Sequence, residues 1–205
     1  MNLVHPLPGK KINLEGTNYF IHGLVHGTPL VYISKDFKKT IENKFKEYDV
    51  ICEDGFKAWI KNAKSFNEIS HFNLGNISFF EMLKSFLVIT YIKLVRKNKP
   101  LLIKQIQEMK TLEDFYFIRE KLFEKYFLEP QGMNYYLSKL EKGSLKKPKG
   151  EFPLLIKRYI YEAKESLKYA KAKNLDELHI VVGCAHELPL EYFLRNPNLL
   201  KRFIV

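Results

Sequence analysis

Leu178-His179-Ile180-Val181-Val182-Gly183-Cys184-Ala185-His186 is the stretch that decides how this chain reads. A short run rich in apolar and β-branched residues is the signature of a buried strand. Glycine then offers a strand exit, because it tolerates positive φ and close approach of other atoms. Histidine follows three residues later. The same order occurs near the other end, where Tyr19-Phe20-Ile21 leads into Gly23-Leu24-Val25-His26. A histidine held at a strand end can bind a metal or move a proton. Two such patterns, each closing a strand, define a candidate site.

Outward from the second pattern, Pro153 opens a helix that runs to about Lys173. Its core stripe is Leu155, Ile156, Tyr159, Ile160, Ala163, Leu167 and Ala170, with Asn174 as C-cap. Beyond His186, Pro189 and Pro197 punctuate two short terminal helices. At the other end, an irregular lead precedes a strand from Thr17 to Val25, Gly27-Thr28-Pro29 breaks it, and Val31-Tyr32-Ile33 adds a short extended piece. Ser34 or Asp36 caps a helix to about Glu47, with Phe37, Ile41 and Phe45 on one face. Tyr48 to Glu53 is a further apolar strand, ending on two acids and Gly55. Strand, helix and strand form a βαβ unit, which implies parallel strands.

No strand signal of any length appears between Gly55 and Glu177. Ser78 to Val95 reads as one apolar helix, and Pro100 introduces another to about Lys110. Thr111-Leu112-Glu113-Asp114 is a capping-box pattern that opens a third, and a short helix follows around Tyr135 to Leu140. The expected fold class is therefore α/β. A central mixed, partly parallel sheet carries flanking helices, and residues 75–145 form a helical insertion that could act as a lid. At 205 residues and 46% hydrophobic, residues 1–205 fit one α/β domain with a real core.

The net charge of +11 suits contact with polyanions such as nucleic acid. It suits a lysine-rich solubilising surface better, since the lysines are spread along the whole chain. No RRM, KH, zinc-finger or helix-turn-helix pattern accompanies the charge. The densest basic cluster, Lys142 to Lys149, reads as an exposed loop. Cys52 and Cys184 are the only cysteines, spaced neither as a zinc knuckle nor as a CxxC pair, and both read as buried thiols in strands. Together with the absence of an apolar leader at the N-terminus, this gives an expected cytoplasmic location. Phe79 to Val95 contains Glu81, Lys84 and Lys93 and falls short of the roughly 20 apolar residues of a membrane span.

In open α/β sheets, sites gather beyond the carboxyl ends of the strands. His26, His186 and Glu53 all fall there. Two histidines and one carboxylate are a recurrent divalent-metal set, for manganese, cobalt or zinc, that leaves positions for water and substrate. Such an ion lowers the pKa of bound water and polarises a carbonyl. Taken singly, each residue also fits a bland role: an edge histidine, or a solvated turn at Glu53-Asp54-Gly55. Glu187, next to His186, is a further candidate ligand or base. His22, His71 and His179 read as packed or exposed residues outside the site.

Gly23-x-x-His26, the acid-ended strand Val50-Ile51-Cys52-Glu53 and Val181-Val182-Gly183-x-x-His186 together resemble the TraB/PrgY/GumN family, which includes the Tiki proteases. Its wider superfamily resembles the ChaN haem-binding lipoprotein and erythromycin esterase folds. The likeness covers the two ends of the chain and none of the helical middle. It implies a metal-dependent hydrolase acting on peptides or a small molecule, with His26, His186 and Glu53 as metal ligands, Glu53 also catalytic, and Gly23 and Gly183 as structural turns. It also implies an arginine before the last strand, which Arg158 matches, although Tyr159 stands where the family has an acid or amide. By helical angle alone Arg158 faces away from the core stripe, yet its planar fork could bind a substrate carboxylate or phosphate. Two other readings stay open: a non-catalytic ligand- or haem-binding module on the same scaffold, and a basic nucleic-acid-associated protein.

Overall fold

The quoted run is the central strand, β5 (Glu177–Gly183), of a five-stranded sheet. The computed structural model describes residues 10–24, 33–69, 104, 107–111, 114 and 152–202. β2 (Thr17–Leu24) lies parallel to β5 on one side, and β3 (Val50–Cys52) lies parallel on the other. β1 (Lys10–Leu14) runs antiparallel to β2 at one edge, and β4 (Lys64–Ser65) runs parallel to β3 at the other. The order β1-β2-β5-β3-β4 makes a mixed, mostly parallel sheet, as expected for an α/β fold. Its two patterned strands are neighbours, with Gly23 opposite Val182 and Leu24 opposite Gly183.

Helices cover both faces, so the parallel strands are apolar throughout. On one face Leu24, Val50, Cys52 and Val181 pack against Phe37, Ile41 and Phe45 of α1 (Lys35–Phe45). Ser34 caps α1 by accepting the Phe37 N–H at 3.2 Å, and donates to the Met109 carbonyl at 2.6 Å. On the other face Tyr19, Ile21, Ile51, Leu178, Ile180 and Val182 meet two helices. These are α4 (Phe152–Lys173), which follows the short α2 (Asp54–Lys57) and α3 (Phe66–Ile69), and α5 (Cys184–Arg195); α6 (Pro197–Arg202) ends the described chain. Asn174 closes α4 in the left-handed region, at φ 52°, as its C-cap reading required. Among the described residues, no helix is long and apolar enough to cross a membrane.

Four local readings need correction. The lead before Thr17 is not wholly irregular: β1 forms a hairpin through Glu15 (φ 50°) and Gly16 (φ 90°), a pair of left-handed residues that suits a two-residue turn. Only Ile12 of β1 is buried, so its apolar pattern is too thin to announce an edge strand. β4 lies after Gly55, but two residues carry no periodicity. Pro189 sits within α5 rather than between helices, and Cys184 opens α5 rather than ending a strand. The extended piece at 31–32 and nearly all of the 75–145 insertion lie outside the described residues. Within the insertion the capping box does form: the Asp114 N–H donates to Thr111 Oγ1 at 3.1 Å, and Asp114 Oδ2 accepts the Thr111 N–H at 2.9 Å.

Asn62 performs a job that periodicity does not announce. Its Nδ2 donates to the carbonyls of Phe45, Lys46 and Tyr48 at 3.0–3.2 Å, capping the C-terminal end of α1 and the turn after it. Asn62→Ala should therefore lower stability by roughly 1 kcal/mol, read from the urea midpoint at unchanged slope. An unchanged midpoint would show that water replaces the amide without loss.

Candidate functional site

β3 and β5 are parallel neighbours, so their carboxyl ends open onto one rim. Glu53 follows β3 there, its N–H donating to the Val181 carbonyl at 3.0 Å. Because Cys52 faces α1, the next side chain turns to the α4 face. Glu53 is 8% exposed. Its Oε1 accepts the Gly183 N–H at 3.0 Å, and its Oε2 pairs with Arg158 Nη2 at 3.0 Å. Gly183 ends β5 and is the N-cap residue of α5, so the carboxylate lies against a helix N-terminus, whose partial positive charge favours it.

Neither glycine of the two patterns uses left-handed backbone. Gly183 has φ −62°, and Gly23 is absent from the positive-φ positions and lies inside β2, which continues to Leu24. The first pattern therefore does not leave its strand at the glycine. In the second, the spacing has a helical meaning: with Gly183 at the N-cap, His186 falls at the third position of α5. Its Nδ1 lies 2.9 Å from the Tyr159 hydroxyl. Burial pushes that hydroxyl well above its ordinary pKa, so it stays protonated. Glu187 is buried in the same first turn, where the helix dipole favours a carboxylate. His26 and His71 lie outside the described residues.

Consecutive residues of α4 thus hold the two described members of the candidate set, Arg158 on Glu53 and Tyr159 on His186. Sequence reasoning placed Arg158 by helical angle on a solvent face. The side chain does remain 39% exposed, but two buried carboxylates anchor it. The second is Glu162, one turn along α4, whose Oε1 accepts from Arg158 Nε at 2.7 Å. Glu162 was absent from the sequence reading. The signal available was an Arg-x-x-x-Glu pair at helical spacing, which is ordinarily a surface ion pair.

The two ends of that pair are not equally content. Desolvation would lower the Arg158 pKa, yet Glu162 and Glu53 outweigh it and hold the guanidinium firmly charged. Glu162, 2% exposed, is dominated by desolvation, against which Arg158 only partly compensates, and its carboxyl is pushed up to about 7. An acid whose folded pKa exceeds its unfolded value binds more protons when folded, so stability falls as pH rises from about 4.5 to about 7. Glu162→Gln removes this dependence. The variant should match wild type near pH 4.5 and exceed it by roughly 3 kcal/mol above pH 7, in parallel urea titrations. A constant difference across that window would show that Glu162 does not titrate there.

Comparison with protein-family models, curated proteins and solved structures finds no match to this chain.

The proposed metal set meets a direct obstacle. Both Glu53 oxygens are engaged, one by a backbone N–H and one by a guanidinium, so a cation there must displace or face Arg158. His186 is engaged through Nδ1. Among the described residues, no group of three or more His, Cys, Asp or Glu is placed to hold a metal ion. The arrangement does not fit a divalent ion on Glu53, and the chemistry below assigns no step to one.

A second polar cluster lies on the opposite face of the sheet. His179 Nε2 is 2.7 Å from Glu177 Oε1, and His179 Nδ1 is 2.9 Å from His22 Nε2. With a carboxylate at Glu177, a neutral His179 carries its proton on Nε2, so His22 donates across the second contact. Both imidazoles are buried among Phe20, Phe45 and Tyr48. Of the packed or exposed roles read for these two histidines, the packed one is observed.

Proposed function

We propose that the rim formed by Glu53, Arg158, Tyr159 and His186 is the active site of a hydrolase that, unlike the metal-dependent TraB/GumN type its sequence resembles, works without a divalent ion. The observation that supports this reading is the double grip of α4: adjacent residues fix a carboxylate and an imidazole at the ends of neighbouring parallel strands. In the tautomer whose Nδ1–H donates to the Tyr159 oxygen, Nε2 carries the lone pair through which His186 would take a proton from water. Arg158 is charged, partly exposed and rigidly paired, which suits stabilisation of negative charge developing on a carbonyl oxygen. Glu53 holds Arg158 in that position and is itself fixed by the Gly183 N–H. Peptides or a small molecule are the substrate classes implied by the family resemblance.

The same geometry favours one competing reading. An anchored, exposed guanidinium can retain a ligand carboxylate with no chemistry following. Hydrolysis of p-nitrophenyl acetate and of a quenched fluorescent peptide by the full chain separates the two. Turnover above the buffer rate, retained in the presence of EDTA, is the expected result. Saturable binding of a carboxylate probe without turnover would establish the binding module, and turnover abolished by EDTA but restored by manganese, cobalt or zinc would reinstate the metal site.

A further inference from the structure

Glu162 is an expensive residue with no evident service to the fold. Its side chain is buried, its Oε2 makes no hydrogen bond, and among the described residues Oε1 is partnered by Arg158 alone. A buried, half-satisfied carboxyl is commonly less stable than an apolar side chain of the same size. The use of such a group is visible in what it does to Arg158. A guanidinium offers five N–H donors in a plane. Glu162 takes Nε at 2.7 Å and Glu53 takes Nη2 at 3.0 Å, so two carboxylates from different elements fix the orientation of that plane. Among the described residues, no hydrogen bond or ion pair engages Nη1.

We propose that Glu162 is a positioning residue for Arg158, holding the guanidinium by Nε so that its Nη1 amino group is presented to an oxygen of the substrate. The ligand chemistry that matches is an oxyanion or a polarised carbonyl oxygen, the acceptor that a guanidinium edge recognises. This deepens the hydrolase reading and rests on it for the word substrate. The orientation of Arg158 itself can be measured without any substrate.

The test compares wild type with Glu162→Gln, which keeps an acceptor, and Glu162→Met, which fills the same space without one. In 15N-labelled full-length protein, the Arg158 Nε–H should give a resonance protected from exchange with water. Glu162→Gln should retain it and Glu162→Met should lose it, although Met should fold at least as stably as wild type. Towards p-nitrophenyl acetate, kcat/KM should stay within about 3-fold in Glu162→Gln and fall about 100-fold in Glu162→Met, as expected when a reacting group is misplaced by about 1 Å. A protected Nε–H in the Met variant, or equal losses in both variants, would overturn the proposal. If wild type shows no hydrolysis, the hydrolase reading fails, and the resonance still decides whether Glu162 positions Arg158.

Discussion

Arg158→Met should be among the most destabilising single changes in the described part of the molecule. Glu53 and Glu162, 8% and 2% exposed, share this one guanidinium, and its removal strands both carboxylates in a low-dielectric environment. Breaking a buried pair in this way typically costs 3–5 kcal/mol. Because Arg158 is 39% exposed, solvent moderates its contribution, and about 2–4 kcal/mol is expected at pH 7. For a chain of this length that corresponds to a fall in Tm of roughly 10 °C. Without its cation, Glu162 is held still more strongly in the neutral form. Below pH 7 Glu162 is largely protonated in both proteins, so the deficit should stay level towards pH 4.5. Above pH 7 it should widen, because the wild-type carboxyl ionises against Arg158 and the variant's does not. Urea unfolding at pH 7 and pH 9 reads both quantities. A deficit below 1 kcal/mol, or one independent of pH, would show that the carboxylates find other partners.

His186→Ala should have the largest effect on turnover. If His186 is the base that accepts a proton from water, its loss lowers kcat by about 100- to 10,000-fold. Stability should change much less, because His186 is only partly buried in the first turn of α5 and holds no part of the apolar core. Tyr159→Phe provides the accompanying control. It removes the hydroxyl from Nδ1 while preserving the ring, so a reduction in kcat smaller than that of His186→Ala is expected. Rates towards p-nitrophenyl acetate within 3-fold of wild type in His186→Ala would remove this residue from the mechanism.

The two chain ends were legible for specific reasons. In β5 and β3, consecutive apolar side chains are buried because helices cover both faces, so each strand reads as a continuous apolar run. In α1, Phe37, Ile41 and Phe45 repeat at helical spacing because one face lies on the sheet. Acid-ended β3 and histidine-bearing α5 could be placed at a rim because parallel strands end on the same side. β1 and β4 escaped because an edge strand with one buried residue, or a strand of two residues, lacks a period to detect.

The site divides along the same line. Sequence alone placed Glu53 and His186 beyond the carboxyl ends of their strands and Arg158 on the helix before the last strand. It could not tell that Arg158 and Tyr159 would each take one of them, because those contacts join positions 105 and 27 residues apart. Nor could it identify Glu162 as buried. Helical spacing fixes which residues share a face, whereas the elements packed against that face decide whether it meets water. Tertiary structure alone brought two carboxylates to one guanidinium, and desolvation there converts an ordinary i, i+4 ion pair into a cluster with a shifted acid. The residue types were written locally; their chemistry depends on a dielectric and a geometry that exist only after the helices close over the sheet.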